Sequence, residues 1–146
     1  MRCVVKVIFF NLILFYSGTV YSGEFKIASL KKGQEVTLTH RSKTMVPHGE
    51  SFYLAATDLP QTVSFKQVWL GKNKPKERTL KLGIFDKTRD AVKYLSIKNS
   101  IPQIYTLKST ERILIVPEKM KGKKRLLYMK GQLLQVESNK PLTIAR

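Results

Sequence analysis

An alternation of apolar and polar residues with a period of two most limits what this chain can fold into. The pattern occurs three times. In "EVTLTHR" one face carries Val36, Leu38 and His40. In "TVSFKQVWL" one face carries Val63, Phe65, Gln67 and Trp69, and in "TLKLGIF" one face carries Leu80, Leu82 and Ile84. Each run is typical of a half-buried β-strand. The run "RILIVP" is continuously apolar, which indicates a strand buried on both faces.

Turn-forming residues separate these runs at short intervals, as in "KKGQ", "PHGE", "TDLPQ", "NSIPQ" and "SNKP". Many short strands at this spacing predict an all-β fold, either a single antiparallel β-sandwich of the immunoglobulin-like type or a small barrel. No internal repeat divides the chain. We therefore expect one β-rich domain over residues 23–146.

Two segments allow more than one local structure. In "DKTRDAVKYLSIK" Asp86 can cap a helix, and Ala91, Val92 and Leu95 fall near helical spacing. A strand with Val92 and Tyr94 on one face fits the same letters, but we favour a short helix near residues 87–96. In "LLYMKGQLLQV" the alternation changes phase near Lys130-Gly131, which indicates a tight hairpin or one long strand with a bulge.

The first 22 residues have the layout of a secretory signal peptide. Arg2 and Lys6 precede the apolar stretch "VIFFNLILFYSGTV", and Val20 and Ser22 occupy the −3 and −1 positions of a cleavage site before Gly23. An uncleaved membrane anchor is the alternative, but a spanning helix needs about 20 mainly apolar residues and this run is shorter. Both interpretations predict a periplasmic or secreted domain.

The exported part would contain no cysteine and no Asn-x-Ser/Thr acceptor, since the only cysteine is Cys3. Small secreted domains with insufficient cores tend to be rich in disulfides, whereas this domain must rely on its core. The absence of disulfides and glycosylation acceptors favours a bacterial envelope protein over a eukaryotic secreted one.

The residues that carry common enzyme chemistry are scarce. His40, His48 and Glu50 around one turn allow a metal site, although their spacing matches no strong zinc motif. "HGESFY" begins like a nucleophile elbow at Ser51, but Tyr53 replaces the final glycine and a strand-to-helix turn is not expected. We find no phosphate-binding glycine loop and expect no enzyme activity, catalytic residue, resident metal or other cofactor.

Aromatic residues are spread at about one per element, which favours core packing over a stacking platform for nucleic acid. Phe65 and Trp69 belong to an apolar face. Phe85 and Tyr128 are the best candidates for outward display. Nucleic acid is therefore not the partner that we expect.

Positive charge is the strongest functional signal. Removal of residues 1–22 would leave 25 basic and 10 acidic residues, a net charge of +15. Two short stretches, the first basic segment (72–78) and the second basic segment (119–125), carry +8 of this charge. Their basic residues are the candidate anion-binding residues: Lys72, Lys74, Lys76, Arg78, Lys119, Lys121, Lys123, Lys124 and Arg125. Lysine-rich turns that only keep strand ends soluble are the alternative.

These observations support an exported, non-enzymatic envelope module whose basic loops bind an anionic glycan, lipid or protein, with a membrane surface as one such partner. The alternative is a structural or assembly subunit of a secretion, pilus or other envelope complex that pairs by β-strand addition. A small hydrolase or metal enzyme is the least favoured hypothesis. The stretch from "DLPQTVSF" to "IPQIYTLK" resembles in architecture the immunoglobulin-like modules that accompany bacterial wall peptidases, without the metal ligands of those peptidases.

Overall fold

The computed structural model describes residues 19–21, 23–47, 49–70, 79–88, 90–98, 101–118 and 132–146. These residues form two open β-sheets packed face to face, so the fold is a sandwich rather than a barrel. The predicted all-β fold is thereby confirmed. In the described part of the chain no helix is long and apolar enough to cross a membrane. A 3-10 turn, Ile27–Ser29, is the helical element found there.

The larger sheet has seven strands. In spatial order they are β1 (Thr19–Tyr21), β3 (Glu35–Leu38), β12 (Leu142–Ala145), β5 (Phe52–Ala56), β10 (Ile113–Pro117), β7 (Thr79–Phe85) and β8 (Ala91–Lys98). β1 pairs in parallel with β3, whereas the other neighbours in this sheet are antiparallel. β1 lies inside the predicted signal peptide, and cleavage after Ser22 stays a prediction.

The smaller sheet has five strands. In spatial order they are β2 (Glu24–Lys26), β4 (Lys43–Pro47), β11 (Gln132–Ser138), β6 (Gln61–Trp69) and β9 (Gln103–Leu107). β2 pairs in parallel with β4, and the remaining pairs are antiparallel. The sandwich is therefore antiparallel except at the two N-terminal strands, each of which pairs with a strand of the same direction.

The core lies between the sheets and consists of the inward residues of the alternating runs. Phe65 of β6, Phe52 of β5, and Leu82 and Ile84 of β7 are fully buried. The predicted stripes on β3, β6 and β7 face this core, except that His40 follows the end of β3 and is exposed. Period-two patterning thus predicted which side chains are buried along these strands.

The run "RILIVP" forms β10, but only one of its faces is fully buried. Ile115 is fully buried, while Leu114 and Val116 on the outer face are half-buried. Neighbouring strands of the same sheet cover the outer residues from the side. Leu114, for example, lies opposite Tyr53 of β5 and Phe85 of β7. Lateral contact within one sheet therefore explains the apolar run without a third layer.

The short helix predicted near residues 87–96 is wrong. Ala91–Lys98 is the edge strand β8, which pairs with β7 across a bulge at Ile84/Phe85. Asp86 shapes a turn instead of capping a helix, since its Oδ1 accepts hydrogen bonds from Thr88 N at 2.9 Å and Asp90 N at 3.1 Å. Leu95 and Ile97 alternate into the core, which outweighs the helical spacing of Ala91, Val92 and Leu95.

One end of the sandwich is closed by a hydrogen-bond network around Gln61, the first residue of β6. Gln61 Nε2 donates to Ser138 Oγ at 2.8 Å and to the carbonyl oxygen of Pro141 at 2.9 Å. Gln61 Oε1 accepts from the backbone N–H of Thr57 at 3.0 Å. We call these residues, with Asn139, the Gln61 end.

Candidate binding end of the sandwich

All nine candidate anion-binding residues lie outside the described residues. The strands that lead into and out of the two basic segments are described, however. β6 and β7 flank the first segment, and β10 and β11 flank the second. The positions of these strand ends show from which part of the sandwich each segment departs.

On the five-stranded sheet, the two segments border adjacent residues. Trp69, the last residue of β6, lies directly opposite Gln132, the first residue of β11, in the antiparallel register. The chain therefore leaves this sheet after Trp69, toward the first segment. It returns from the second segment at Gln132, which is next to Trp69.

On the seven-stranded sheet, the corresponding strand ends are also neighbours. The backbone N–H of Glu118, the last described residue before the second segment, donates to the carbonyl oxygen of Lys81 at 2.8 Å. Lys81 is two residues into β7, whose first residue Thr79 follows the first segment and pairs with Lys98 of β8.

A buried amide connects the two sheets at this end. Gln67 of β6 is 5% exposed, and its Nε2 donates to the carbonyl oxygen of Ile97 of β8 at 2.6 Å. Ile97 adjoins Lys98, so this bond joins the β6/β11 strand ends to the β7/β8 strand ends. We call this region, with residues 67–70, 79–81, 97–98, 118 and 132, the basic-segment end.

The described side chains at the basic-segment end are of mixed character, with two lysines and one acidic residue. Lys81 and Lys98 are exposed, and Glu118 is the acidic residue. Leu70 is 70% exposed. Beneath the surface, Gln132 is 3% exposed, and its Nε2 has no hydrogen-bond partner among the described residues. Buried polar groups without partners are uncommon in proteins, and Thr44 Oγ1 is another among the described residues.

Of the two aromatic residues predicted to face outward, Phe85 is described and Tyr128 lies outside the described residues. Phe85 is half-buried on the outer face of the seven-stranded sheet and makes an edge-to-face contact with Tyr94, with ring centroids 6.1 Å apart and an interplanar angle of 87°. Tyr94 is 66% exposed. Sequence reasoning missed Tyr94 as an outward aromatic because the helix interpretation obscured its alternation with Leu95.

The metal hypothesis fails on geometry for the residues that can be placed. His40 precedes β4 and Glu50 follows it, so the length of a five-residue strand, about 16 Å, separates them. His40 Nδ1 forms a hydrogen bond with the carbonyl oxygen of Asn139, and Glu50 pairs with Arg146 at 3.0 Å. His48 lies outside the described residues. Within the described ranges no three His, Cys, Asp or Glu residues cluster as metal ligands.

Ser51 does not have the surroundings of a nucleophile elbow. It is exposed and precedes strand β5, whereas an elbow places the serine between a strand and a helix. The described chain therefore offers no support for the hydrolase hypothesis at this residue.

Comparison with known proteins assigns no family. No family model and no curated protein sequence matches the chain. Among solved structures, the chain is similar to PliG of Aeromonas hydrophila, a periplasmic lysozyme inhibitor of g-type lysozyme. The match covers 88% of this chain and 98% of that chain at 13% identity, with a TM-score of 0.32. At that score and identity the match transfers no function to this chain.

Proposed function

We propose that this protein is an exported, non-enzymatic module of a bacterial envelope that binds an anionic partner through its two basic segments. The observation that carries the proposal is that the strand ends bordering both segments meet at the basic-segment end. Nine basic residues and one acidic residue belong to the two segments. Charges of one sign gathered at one end create a field that attracts and orients an anionic partner.

Exposed Lys81 and Lys98 add to this field from the described strands. Solubility alone would be served by charges of both signs spread over the surface. Each lysine or arginine near an anionic membrane surface contributes about 1 kcal/mol, so several acting together hold a protein of this size at such a surface in low salt.

The proposal is tested by neutralising the second segment, with Lys119, Lys121, Lys123, Lys124 and Arg125 changed to Gln, and measuring binding to anionic vesicles and to polyglutamate. We expect wild-type binding that weakens as salt rises, because salt screens exposed charges, and a loss of at least about tenfold in the variant. A second variant, in which only Lys72, Lys74, Lys76 and Arg78 are changed to Gln, should also weaken binding.

A matched control removes four exposed lysines elsewhere. Lys43, Lys87, Lys93 and Lys108 are exposed and lie outside the basic-segment end. Their change to Gln removes the same charge as neutralisation of the first segment. Equal losses in the two variants would show that net charge alone attracts the partner and would contradict a localised site.

A second candidate function is strand addition in an envelope assembly. The edge strand β9 pairs with β6, and no other described strand pairs with it; nearby Ile101 and Ile104 are 57% and 65% exposed. Exposed sheet edges of this kind can receive a strand from another protein. The discriminating test is a pull-down from envelope extract: a stoichiometric partner that stays bound at high salt favours assembly, and one released by salt favours the basic segments.

A further inference from the structure

A shallow hollow of about 260 Å³ lies on the outer face of the seven-stranded sheet, beside the basic-segment end. Six residues line it: Lys81, Gly83, Phe85, Tyr94, Val116 and Glu118. Lys81 and Glu118 are also residues of the basic-segment end, where their backbones are hydrogen-bonded to each other. The hollow is thus continuous with the proposed anion-binding end.

Gly83 allows the ring of Phe85 to lie over strand β7 because it has no side chain. A Cβ atom at this position would lie 2.7 Å from Phe85 Cε1 and 3.4 Å from Tyr94 Cε1, so the two rings lie close over the glycine. Tyr94 is directly opposite Gly83 in the β7–β8 register, and its ring stands nearly perpendicular to that of Phe85. The result is an apolar wall of two rings on an otherwise flat sheet.

The polar groups of the hollow complement this wall. The Lys81 ammonium donates hydrogen bonds and attracts negative charge, and the Glu118 carboxylate accepts hydrogen bonds from hydroxyl groups. A ligand that suits the hollow needs an apolar face, hydroxyl groups and a negative charge within one small unit. A sugar ring that carries an acidic group has all three, since its C–H face is apolar and its rim is polar.

We propose that this hollow binds one acidic sugar residue of an anionic glycan, with the ring against Tyr94 and Phe85, a hydroxyl on Glu118 and the acidic group toward Lys81. The proposal rests on the proposed function and names its ligand class. The basic segments then contact further acidic groups along the same glycan. A protein partner fits less well, because a stable protein interface needs about 800 Å² on each side and the hollow accepts a single ring-sized group.

The test is calorimetric titration of the purified protein with three kinds of probe. The acidic glycans are an oligogalacturonate and a glycan strand containing N-acetylmuramic acid. The other probes are a neutral galacto-oligosaccharide of the same length and polyglutamate, which has the charge but no sugar ring. We expect the acidic glycans to bind, and to bind more tightly than either of the other probes.

Variants of the hollow distinguish ring contact from charge. Tyr94→Ala should weaken acidic-glycan binding about tenfold and leave polyglutamate binding unchanged, because only the sugar uses the ring. Tyr94→Phe keeps the ring and should retain binding. Gly83→Ala, which displaces the Phe85 ring, should also weaken glycan binding. Lys93→Gln on the same strand is the control, since Lys93 lies opposite inward-facing Ile84 rather than in the hollow.

The outcomes separate this inference from the proposed function. If Tyr94→Ala leaves the binding of acidic glycans unchanged, the hollow is not the glycan-binding site, while the proposal of anion binding by the basic segments still stands. If Tyr94→Ala weakens the binding of glycan and of polyglutamate equally, the hollow binds an acidic peptide and the proposal of a glycan ligand is overturned. An absence of binding to every anionic probe overturns both proposals. Circular dichroism of each variant confirms that the fold is retained.

Discussion

The two ends of the sandwich differ in the hydrogen bonding of a buried glutamine side chain. Gln61 at the Gln61 end is 0% exposed, and its side chain bonds to Ser138, the last residue of β11, to Pro141 and to Thr57. Gln132 at the basic-segment end is 3% exposed, and its Nε2 lacks a partner among the described residues. Both side chains face the core, and among the described residues a hydrogen-bond partner is found for Nε2 of Gln61 but not for Nε2 of Gln132.

This difference in hydrogen bonding has an energetic consequence. A fully bonded buried amide stabilises the turns that it bridges, while a buried amide without partners lowers the free energy of unfolding. Departures from good polar pairing are expected where binding rather than stability limits the sequence. The comparison is limited to these two glutamines, since buried Thr44, whose strand partner Val136 lies two residues from Ser138, also has a hydroxyl without a partner among the described residues.

The largest expected effect comes from disrupting the hydrogen-bond network of the Gln61 end. Gln61→Leu keeps the size of the side chain but leaves the Thr57 N–H and the Pro141 carbonyl without their buried partner. We expect the free energy of unfolding to fall by about 2–4 kcal/mol. Urea denaturation at neutral pH measures it. A loss below about 1 kcal/mol would mean that the network is replaced by water and that the two ends do not differ in this way.

The matched change at the other end should have a much smaller effect. Gln132→Leu removes a buried amide whose Nε2 has no bond to lose among the described residues. We expect the free energy of unfolding to change by less than about 1 kcal/mol, with a gain in stability as the favoured direction. A loss as large as that of Gln61→Leu, in the same denaturation experiment, would remove the basis of the comparison.

The sequence predicted the strands whose alternation is undisturbed. β6 and β7 follow from period two alone, because inward Phe65 and Leu82 recur in phase with their neighbours. The prediction failed for β8, where the bulge opposite Ile84/Phe85 shifts the phase and residues with helical spacing are held in a strand by pairing with β7. β1 and β2 have three residues each, too few for a pattern to be visible.

The candidate site could be predicted only in part. Charge clustering in the two basic segments is visible in the sequence, but the pairing of Trp69 with Gln132 joins residues far apart in the chain. Such contacts depend on the order of strands in the sheets, which local patterns do not determine. The hollow over Gly83 was missed for the same reason, since Lys81 and Tyr94 come together only through the β7–β8 hairpin and Glu118 only through β10.

The smallest expected effect is a pH dependence of the exposed turn that joins β7 to β8. The hydrogen bond from the Thr88 hydroxyl to Asp86, at 2.6 Å, is the main cause that lowers the pKa of this carboxyl below its ordinary 3.8, and backbone bonds from Asp90 and Thr88 add to it. A lowered pKa in the folded state stabilises the protein above the ordinary pKa, and this contribution is lost as the pH falls through the folded-state pKa.

Asp86→Asn keeps the side-chain oxygen but removes this titration. We expect the wild-type protein to be the more stable at pH 7 and the difference to shrink on acidification below the ordinary pKa of 3.8. Parallel urea denaturation of both proteins across this range isolates Asp86, because the other carboxyl groups are common to both. A difference that stays constant with pH would show that the charge of Asp86 does not stabilise the turn and that its hydrogen-bond geometry alone does.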